Sequence, residues 1–201
     1  MRLRMMFAVL MFAALWTVAG AVRAEEKLEA VDALPEGLSK EVAAVLDAKG
    51  QRVIGDKGPV CSIWLVKEVP TKVDFKPTLS VKYPLVPGEL IGVLQVEMKK
   101  KFTDFRGQEI KPGVYTLRYS LQPVNGDHLG ASPQRDFLVL VPAADDKDAN
   151  AAPNFETLMG MSRKASGTPH PAVLSIWGAG AGDPVFGRWG GRGTDEANAG
   201  P

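Results

Sequence analysis

The sequence predicts a mainly β fold, a β-sandwich with one or two short peripheral helices. From Gln51 to Val141, short runs rich in valine, leucine and aromatic residues are separated by glycine, proline and aspartate, as in strands joined by turns. Segments with helical periodicity are few and short, and nothing repeats at a fixed period, which argues against a solenoid or a propeller. A small open barrel is the alternative architecture.

The clearest predicted strand runs from Val114 to Leu121. Its residues alternate between two faces with a period of two, the pattern typical of a half-buried strand. Lys111-Pro112-Gly113 supplies the turn before it. The apolar face carries Tyr115, Leu117, Tyr119 and Leu121, and the other face carries Thr116, Arg118 and Ser120.

Other segments predict further strands. QRVI, at 51–54, leads into a turn signal at Gly55–Gly58 and then into PVCSIWLVKEV, which predicts a hairpin with Cys61 buried as a small hydrophobe. A strand that is apolar throughout is expected to be covered on both faces, and FLVLV fits that description. The remaining candidates are TKVDF at 71–75, TLSVKY at 78–83, ELIGVLQVEM at 89–98 and FLVLV at 137–141.

Two short helices accompany these strands. Ser39 is the predicted N-cap of a helix over KEVAAVLDAK, and Gly50 is its predicted stop. After the polar stretch AADDKDANAAP, the segment NFETLMGMSRKAS predicts a second helix that ends at Gly167. HPAVLSIW, at 170–177, predicts one more strand.

The domain boundaries follow from these elements. Residues 25–50 are expected to form an N-terminal extension, loop-like up to residue 37, that includes the first helix. Residues 51–177 should form the sandwich domain with its C-terminal helix and strand. Residues 178–201 are mostly glycine, alanine and charged residues, which predicts a disordered tail with Phe186 and Trp189 as its candidate anchors.

Residues 1–24 have the pattern of a secretory signal peptide. A basic start is followed by an apolar run from Met5 to Ala19 and then by small residues. Cleavage after Ala24 or after Ala21 would release an exported protein, located in the periplasm or outside the cell, with no membrane span left. An uncleaved anchor is the alternative, although a spanning helix needs about 20 apolar residues.

The charge balance argues against a polyanionic partner. The chain has 24 lysine and arginine residues against 23 aspartate and glutamate residues. Three of the arginines lie in residues 1–24, so the rest of the chain is close to neutral. It contains no basic block that would attract nucleic acid or an anionic membrane, and neither is an expected partner.

The connection from Gln122 to Arg135 is the first place to expect a binding site. It exceeds the usual hairpin loop of about 2–5 residues, and long loops often carry function. Asn125-Gly126 favours a turn, which supports a purely structural alternative. The candidate site residues are Asp127, His128, Arg135 and Asp136, together with His170 if the fold brings it close.

These side chains suit two kinds of chemistry. His128 and His170 can bind a metal or carry protons near neutral pH, and Asp127 and Asp136 can supply oxygen ligands. Arg135 can bind a carboxylate or phosphate through two parallel hydrogen bonds. A metal site ordinarily takes three or four ligands, so this spacing identifies no metal and no cofactor is expected.

The stretch from Gly88 to Trp177 resembles a family of exported bacterial proteins without an assigned function. The resemblance is carried by DFRGQEIKPGVYTLRYSLQPVNGDHLGASPQRDFLVLVPAADD and SRKASGTPHPAVLS, and it implies no catalytic residue or cofactor. More distantly, IKPGVYTLRYS is similar to the Pro-Gly-x-Tyr-x-Leu strand of immunoglobulin-like and transthyretin-like modules. That similarity implies an immunoglobulin-like β-sandwich and leaves the activity open.

The sequence contains no motif of a common enzyme class: no G-x-S-x-G, H-E-x-x-H or P-loop, and no GxGxxG between a strand and a helix. We therefore expect a non-enzymatic exported module that binds or supports the cell envelope, with an envelope protein or a glycan as its partner. The alternative is a metal-binding protein or metal-dependent enzyme that uses residues 122–136. No catalytic residue is predicted in either case.

Overall fold

The computed structural model describes residues 27–97, 101–124 and 135–176. Within these ranges, nine strands form two antiparallel sheets and two helices pack beside them. The elements, in chain order, are β1 (Lys27–Val31), α1 (Lys40–Val45), β2 (Gly50–Gly55), β3 (Gly58–Leu65), β4 (Leu90–Val96), β5 (Phe102–Thr103), β6 (Glu109–Ile110), β7 (Gly113–Leu121), β8 (Asp136–Pro142), α2 (Phe155–Ser166) and β9 (Val173–Ser175).

The larger sheet contains seven strands in the order β1-β2-β3-β4-β7-β8-β9, and every neighbouring pair is antiparallel. The β5–β6 hairpin forms the second sheet and packs its Phe102 and Ile110 against one face of the first. The predicted mainly β sandwich with short helices is therefore confirmed, with two sheets of unequal size. Within the described residues the strands follow one another as a meander, whereas immunoglobulin domains use Greek-key connections.

The opposite face of the seven-stranded sheet is covered by the helices. Helix α2 packs Leu158 and Met159 against the β8 residues Phe137 and Val139. Helix α1 belongs to a separate cluster around Trp64, which is 1% exposed. Because both faces are covered, the polar side of β7 is buried as well. The expectation of a half-buried strand at 114–121 is wrong on this point, since alternation reports the polarity of a face and not its exposure.

The helix ends match the sequence at Ser39 and Gly167 and differ from it at Gly50. The Ser39 side chain caps α1 by accepting the Val42 N–H at 3.1 Å, and α2 ends at Gly167 in the left-handed conformation, φ 64°. Helix α1 stops at Val45, however, and Gly50 begins β2 instead of ending the helix. A side chain at Gly50 would overlap the Trp64 indole, so glycine here serves packing within the sheet.

The sheet begins earlier than the sequence indicates. Residues 25–37 were expected to be loop-like, but β1 pairs with β2 from Lys27↔Ile54 to Val31↔Gly50. Residue 51, where the sandwich domain was expected to begin, lies inside β2. Five residues at a sheet edge, four of them exposed, carry too little alternation to be recognised in sequence.

The segment 67–89 contains no regular strand, although two were predicted in it. Thr71 and Leu85 form an isolated bridge within it, and at its end Gly88 and Glu89 form backbone hydrogen bonds with Tyr119. Prolines at 70, 77, 84 and 87 lack the N–H that a sheet ladder needs, which explains why the apolar alternation there does not produce strands. The segment is instead held at the start of β8, where its Lys82 and Tyr83 N–H groups donate to the Asp136 carboxylate.

Several sequence predictions lie outside the described residues: the signal peptide, the tail at 178–201, and the loop residues Asp127 and His128. In the part of the chain that the structure does describe, neither helix has the length and apolar character needed to cross a membrane.

Candidate functional site

Arg135 and Asp136 lie where β8 leaves the 122–135 connection, and both are tied into the fold. The Arg135 backbone N–H donates to the Ser80 carbonyl at 3.0 Å, and its Nε donates to the Gln122 carbonyl at 2.8 Å. The Gln122 N–H in turn donates to the Arg135 carbonyl at 2.8 Å. Arg135 therefore extends the β7–β8 pairing and holds the segment 67–89 in place.

Asp136 is fully buried, and among the described residues three groups donate hydrogen bonds to its carboxylate. Its Oδ2 accepts the Lys82 N–H at 2.8 Å, and its Oδ1 accepts the Tyr119 hydroxyl at 2.6 Å and the Tyr83 N–H at 3.4 Å. Burial and the neighbouring carboxylate raise the pKa of Tyr119 far above its usual 10. The carboxylate thus anchors the segment 67–89 to the sheet.

His170 lies at the opposite end of β8. Val173 pairs with Val139 and the Leu140 N–H donates to the Ala172 carbonyl, so the register places His170 at the level of Pro142. Six strand positions, roughly 20 Å, separate that level from Asp136. His170 is exposed, and only its backbone groups take part in the hydrogen bonds found around it.

The described candidate residues therefore do not form one site. Arg135 and Asp136 are adjacent, His170 is distant from them, and Asp127 and His128 lie outside the described residues. Across residues 27–97, 101–124 and 135–176, no three histidine, cysteine, aspartate or glutamate side chains come together as a metal would require.

The sequence interpretation missed a buried ion pair between Arg118 and Asp146. Both side chains are almost completely buried, at 0% and 4% exposure. Arg118 Nε lies 2.6 Å from Asp146 Oδ2 and its Nη2 lies 2.8 Å from Oδ1, a bidentate arrangement. The Thr116 hydroxyl donates to the same carboxylate at 2.5 Å.

The remaining donors of Arg118 are used by backbone carbonyls. Its Nη1 donates to Gly88 at 2.8 Å and to Ala151, and its Nη2 donates to Asp148 at 2.7 Å. With the two bonds to Asp146, these account for all five guanidinium N–H groups. Arg118 therefore has no donor left for a ligand, and its role is to fasten the segment 143–153 and the Gly88 turn onto β7.

A groove forms beside this ion pair, with a volume of about 210 Å³. Prolines and apolar side chains supply most of its wall, at the end of β7 and the start of α2. The lining residues are Pro87, Gly88, Ser120, Leu121, Pro123, Pro153, Phe155 and Leu158.

Local sequence builds two walls of the groove. Val86-Pro87-Gly88-Glu89 forms a tight turn closed by the Glu89 N–H and the Val86 carbonyl at 3.2 Å, with Gly88 at φ 94°. Proline second and glycine third is the composition that such a turn requires. A Cβ at Gly88 would lie 2.7 Å from the Pro153 carbonyl oxygen, so glycine also permits the close approach of the second wall.

Exposed apolar side chains lie at the same end of the sheet. Leu79 is 94% exposed and precedes Ser80, which binds Arg135, while Val124 is 87% exposed and follows the groove residue Pro123. Single exposed apolar side chains are common on protein surfaces, so the groove is the feature that identifies a candidate contact surface here. This end of the molecule is hereafter called the groove end.

Comparisons with family models, curated proteins and solved structures give no match for this chain. The class of protein is therefore defined by the structure itself. It is a mainly β, antiparallel two-sheet domain with two short helices, fastened by buried polar residues, with an apolar groove at one end.

Proposed function

We propose that the protein is an exported, non-enzymatic binding module of the cell envelope, and that it contacts an envelope protein through the groove end. The observation that carries this proposal is the apolar groove lined by Pro87, Leu121, Pro123 and Phe155. Val124, which is 87% exposed and follows the groove residue Pro123 in the chain, adds a further apolar side chain.

The dimensions of the groove favour a protein partner. Sites for small molecules and cofactors usually measure about 300–1,000 Å³ and gather several polar groups. A groove of about 210 Å³ with prolines along its wall is better suited to one apolar or aromatic side chain. Such side chains anchor many protein–protein interfaces.

The bonding of the nearby polar residues supports a non-enzymatic role. Arg118 and Asp146 form an ion pair with each other. Asp136 accepts hydrogen bonds from the Tyr119 hydroxyl and from the backbone of the segment 67–89. Side chains that work as acids, bases or nucleophiles must reach a substrate. These three charged groups are instead directed into the fold.

Site-specific photo-crosslinking tests the proposal. A photoreactive phenylalanine analogue at position 123 should crosslink to one protein partner in intact cells, and Pro87→Glu should abolish that product. The same analogue at position 28, which lies on β1 at the far edge of the sheet and is 45% exposed in the native chain, is the matched control. Equal products from both positions, or a product unaffected by Pro87→Glu, would reject the groove as the binding surface.

Export is a separate part of the proposal and rests on residues 1–24. Expression of the full chain in a bacterial host should give a periplasmic product whose measured mass corresponds to a start at Glu25 or Val22. Recovery of the intact chain in the membrane fraction would favour the uncleaved anchor instead.

A further inference from the structure

The C-terminal segment of the chain starts at the groove end. Leu121 pairs with Asp136, and Ser175 pairs with Phe137, so Ile176 follows at the level of Asp136 on its other side. Two strand spacings, about 10 Å, therefore separate Ile176 from the groove residue Leu121. Phe155 and Leu158 of α2, which packs over β8, complete the neighbouring wall.

The sequence beyond Ile176 contains a compact aromatic motif. Val185, Phe186 and Trp189 stand in DPVFGRWGG, within a segment otherwise rich in glycine and alanine. Ten residues separate Phe186 from Ile176, which gives a reach of roughly 30 Å when the chain is extended. The motif can therefore reach the groove from the same domain.

We propose that Trp189 docks in the groove when no partner is bound, and that Phe186 supports this docking by packing at the edge of the groove. An intramolecular ligand tethered this closely has a high effective concentration, so even weak apolar contacts suffice to occupy the groove. The groove matches one aromatic side chain in size and polarity. The proposed docking depends only on the groove and the C-terminal segment. Competition between this segment and an outside partner depends in addition on the proposed function.

Fluorine NMR on the full-length protein, after any signal cleavage and with 5-fluorotryptophan incorporated, tests the docking. Trp189→Phe assigns the Trp189 resonance, and a soluble gadolinium chelate measures the exposure of that side chain. We expect the chelate to relax Trp189 several-fold less than the tryptophan of a synthetic peptide covering residues 180–192. Phe186→Ala should raise the relaxation of Trp189 towards the peptide value.

Groove variants identify the docking surface. Pro87→Glu and Pro123→Glu should each expose Trp189, whereas Leu28→Glu on β1 should not, and urea unfolding checks that each variant is folded. Wild-type Trp189 as exposed as the peptide, or protection unchanged in both groove variants, would overturn the proposal.

Photo-crosslinking separates this inference from the proposed function. Phe186→Ala with Trp189→Ala should increase partner crosslinking from position 123 if the segment competes with the partner. Protected Trp189 without any groove-dependent crosslink would retain the docking and reject the partner. A groove-dependent crosslink together with an exposed Trp189 would retain the partner and reject the docking.

Discussion

Arg118 and Asp146 show how single residues fasten irregular segments to the sheet. A charged pair is costly to bury, and the cost is offset here because every donor of Arg118 has an acceptor. Asp136 fastens the segment 67–89 to the sheet, because its carboxylate accepts hydrogen bonds from two backbone N–H groups of that segment and from the Tyr119 hydroxyl. The groove walls therefore depend on these buried polar residues.

Removing one member of the Arg118–Asp146 pair should be strongly destabilising. We expect Arg118→Met to lower the free energy of unfolding by about 3–5 kcal/mol, because it leaves a buried carboxylate without its counter-charge. Urea unfolding measures the change. Lys101→Met, in the exposed Lys101–Glu109 pair, is the control and should cost at most about 1 kcal/mol.

A double-mutant cycle with Asp146→Leu completes that prediction. The two single costs should exceed the cost of the double variant, with a coupling on the order of 1–3 kcal/mol. Additive costs, or a loss for Arg118→Met no greater than for Lys101→Met, would contradict a stabilising role for the pair.

Tyr119 should give the protein an alkaline pH dependence. Its pKa in the folded state is raised, so its contribution to stability is complete below the unfolded pKa of about 10 and is lost as the pH rises above that value. Tyr119→Phe removes the hydroxyl bond to Asp136 and should cost about 1.5–3 kcal/mol at neutral pH. Its urea midpoint should then fall less steeply than wild type between about pH 9 and 11. Parallel pH profiles would show that Tyr119 does not titrate with unfolding.

At the scale of elements, the two glycines at positions 50 and 160 make opposite predictions. A Cβ at Gly50 would lie 2.5–2.7 Å from three atoms of the Trp64 indole, which is buried. We expect Gly50→Ala to lower the free energy of unfolding by about 1–3 kcal/mol. At Gly160, on the exposed side of α2, a Cβ meets nothing within 4 Å. Gly160→Ala should therefore raise the free energy of unfolding by about 0.5–1 kcal/mol.

Thermal and urea unfolding of both glycine variants checks these signs. A neutral Gly50→Ala variant would mean that the Trp64 cluster is loosely packed. A destabilising Gly160→Ala variant would mean that α2 contacts something at that position.

Elements with strong local signals could be predicted, and those defined by their neighbours could not. The alternation at 114–121 predicts β7, and Asn154 and Gly167 delimit α2. Strand β1 has no comparable signal, because it exists only by pairing with β2. The alternation in 71–83 predicts strands, but Pro77 within it and Pro70 and Pro84 on either side prevent these residues from joining a ladder.

The candidate site shows the same limit at the scale of the whole molecule. Sequence proximity brings Arg135 and Asp136 together correctly, but the placement of His170 depends on the β8–β9 register and the sequence does not determine it. In the sequence, Arg118 has the pattern of an ordinary polar residue on a strand. Its partner Asp146 lies beyond the next strand in a polar stretch, so the sequence does not indicate that the two residues pair. The groove itself combines residues from three separate segments and has no sequence signature.

For the molecule as a whole, the groove end and the polar loop residues are rival surfaces. If the groove carries binding, substitutions at Asp127 and His128 should leave partner contact intact, whereas a charge in the groove should remove it. If the loop carries a metal-dependent function, substitutions at Asp127 and His128 should remove partner contact and a charge in the groove should leave it intact. A chelator should then also remove the contact.

The most direct test compares Pro87→Glu with the combined variant Asp127→Ala and His128→Ala, using the crosslink from position 123 in intact cells. The groove proposal predicts that the crosslinked product disappears in Pro87→Glu and persists in the loop variant, with or without chelator. A product that persists in Pro87→Glu and disappears in the loop variant or on chelation would contradict it.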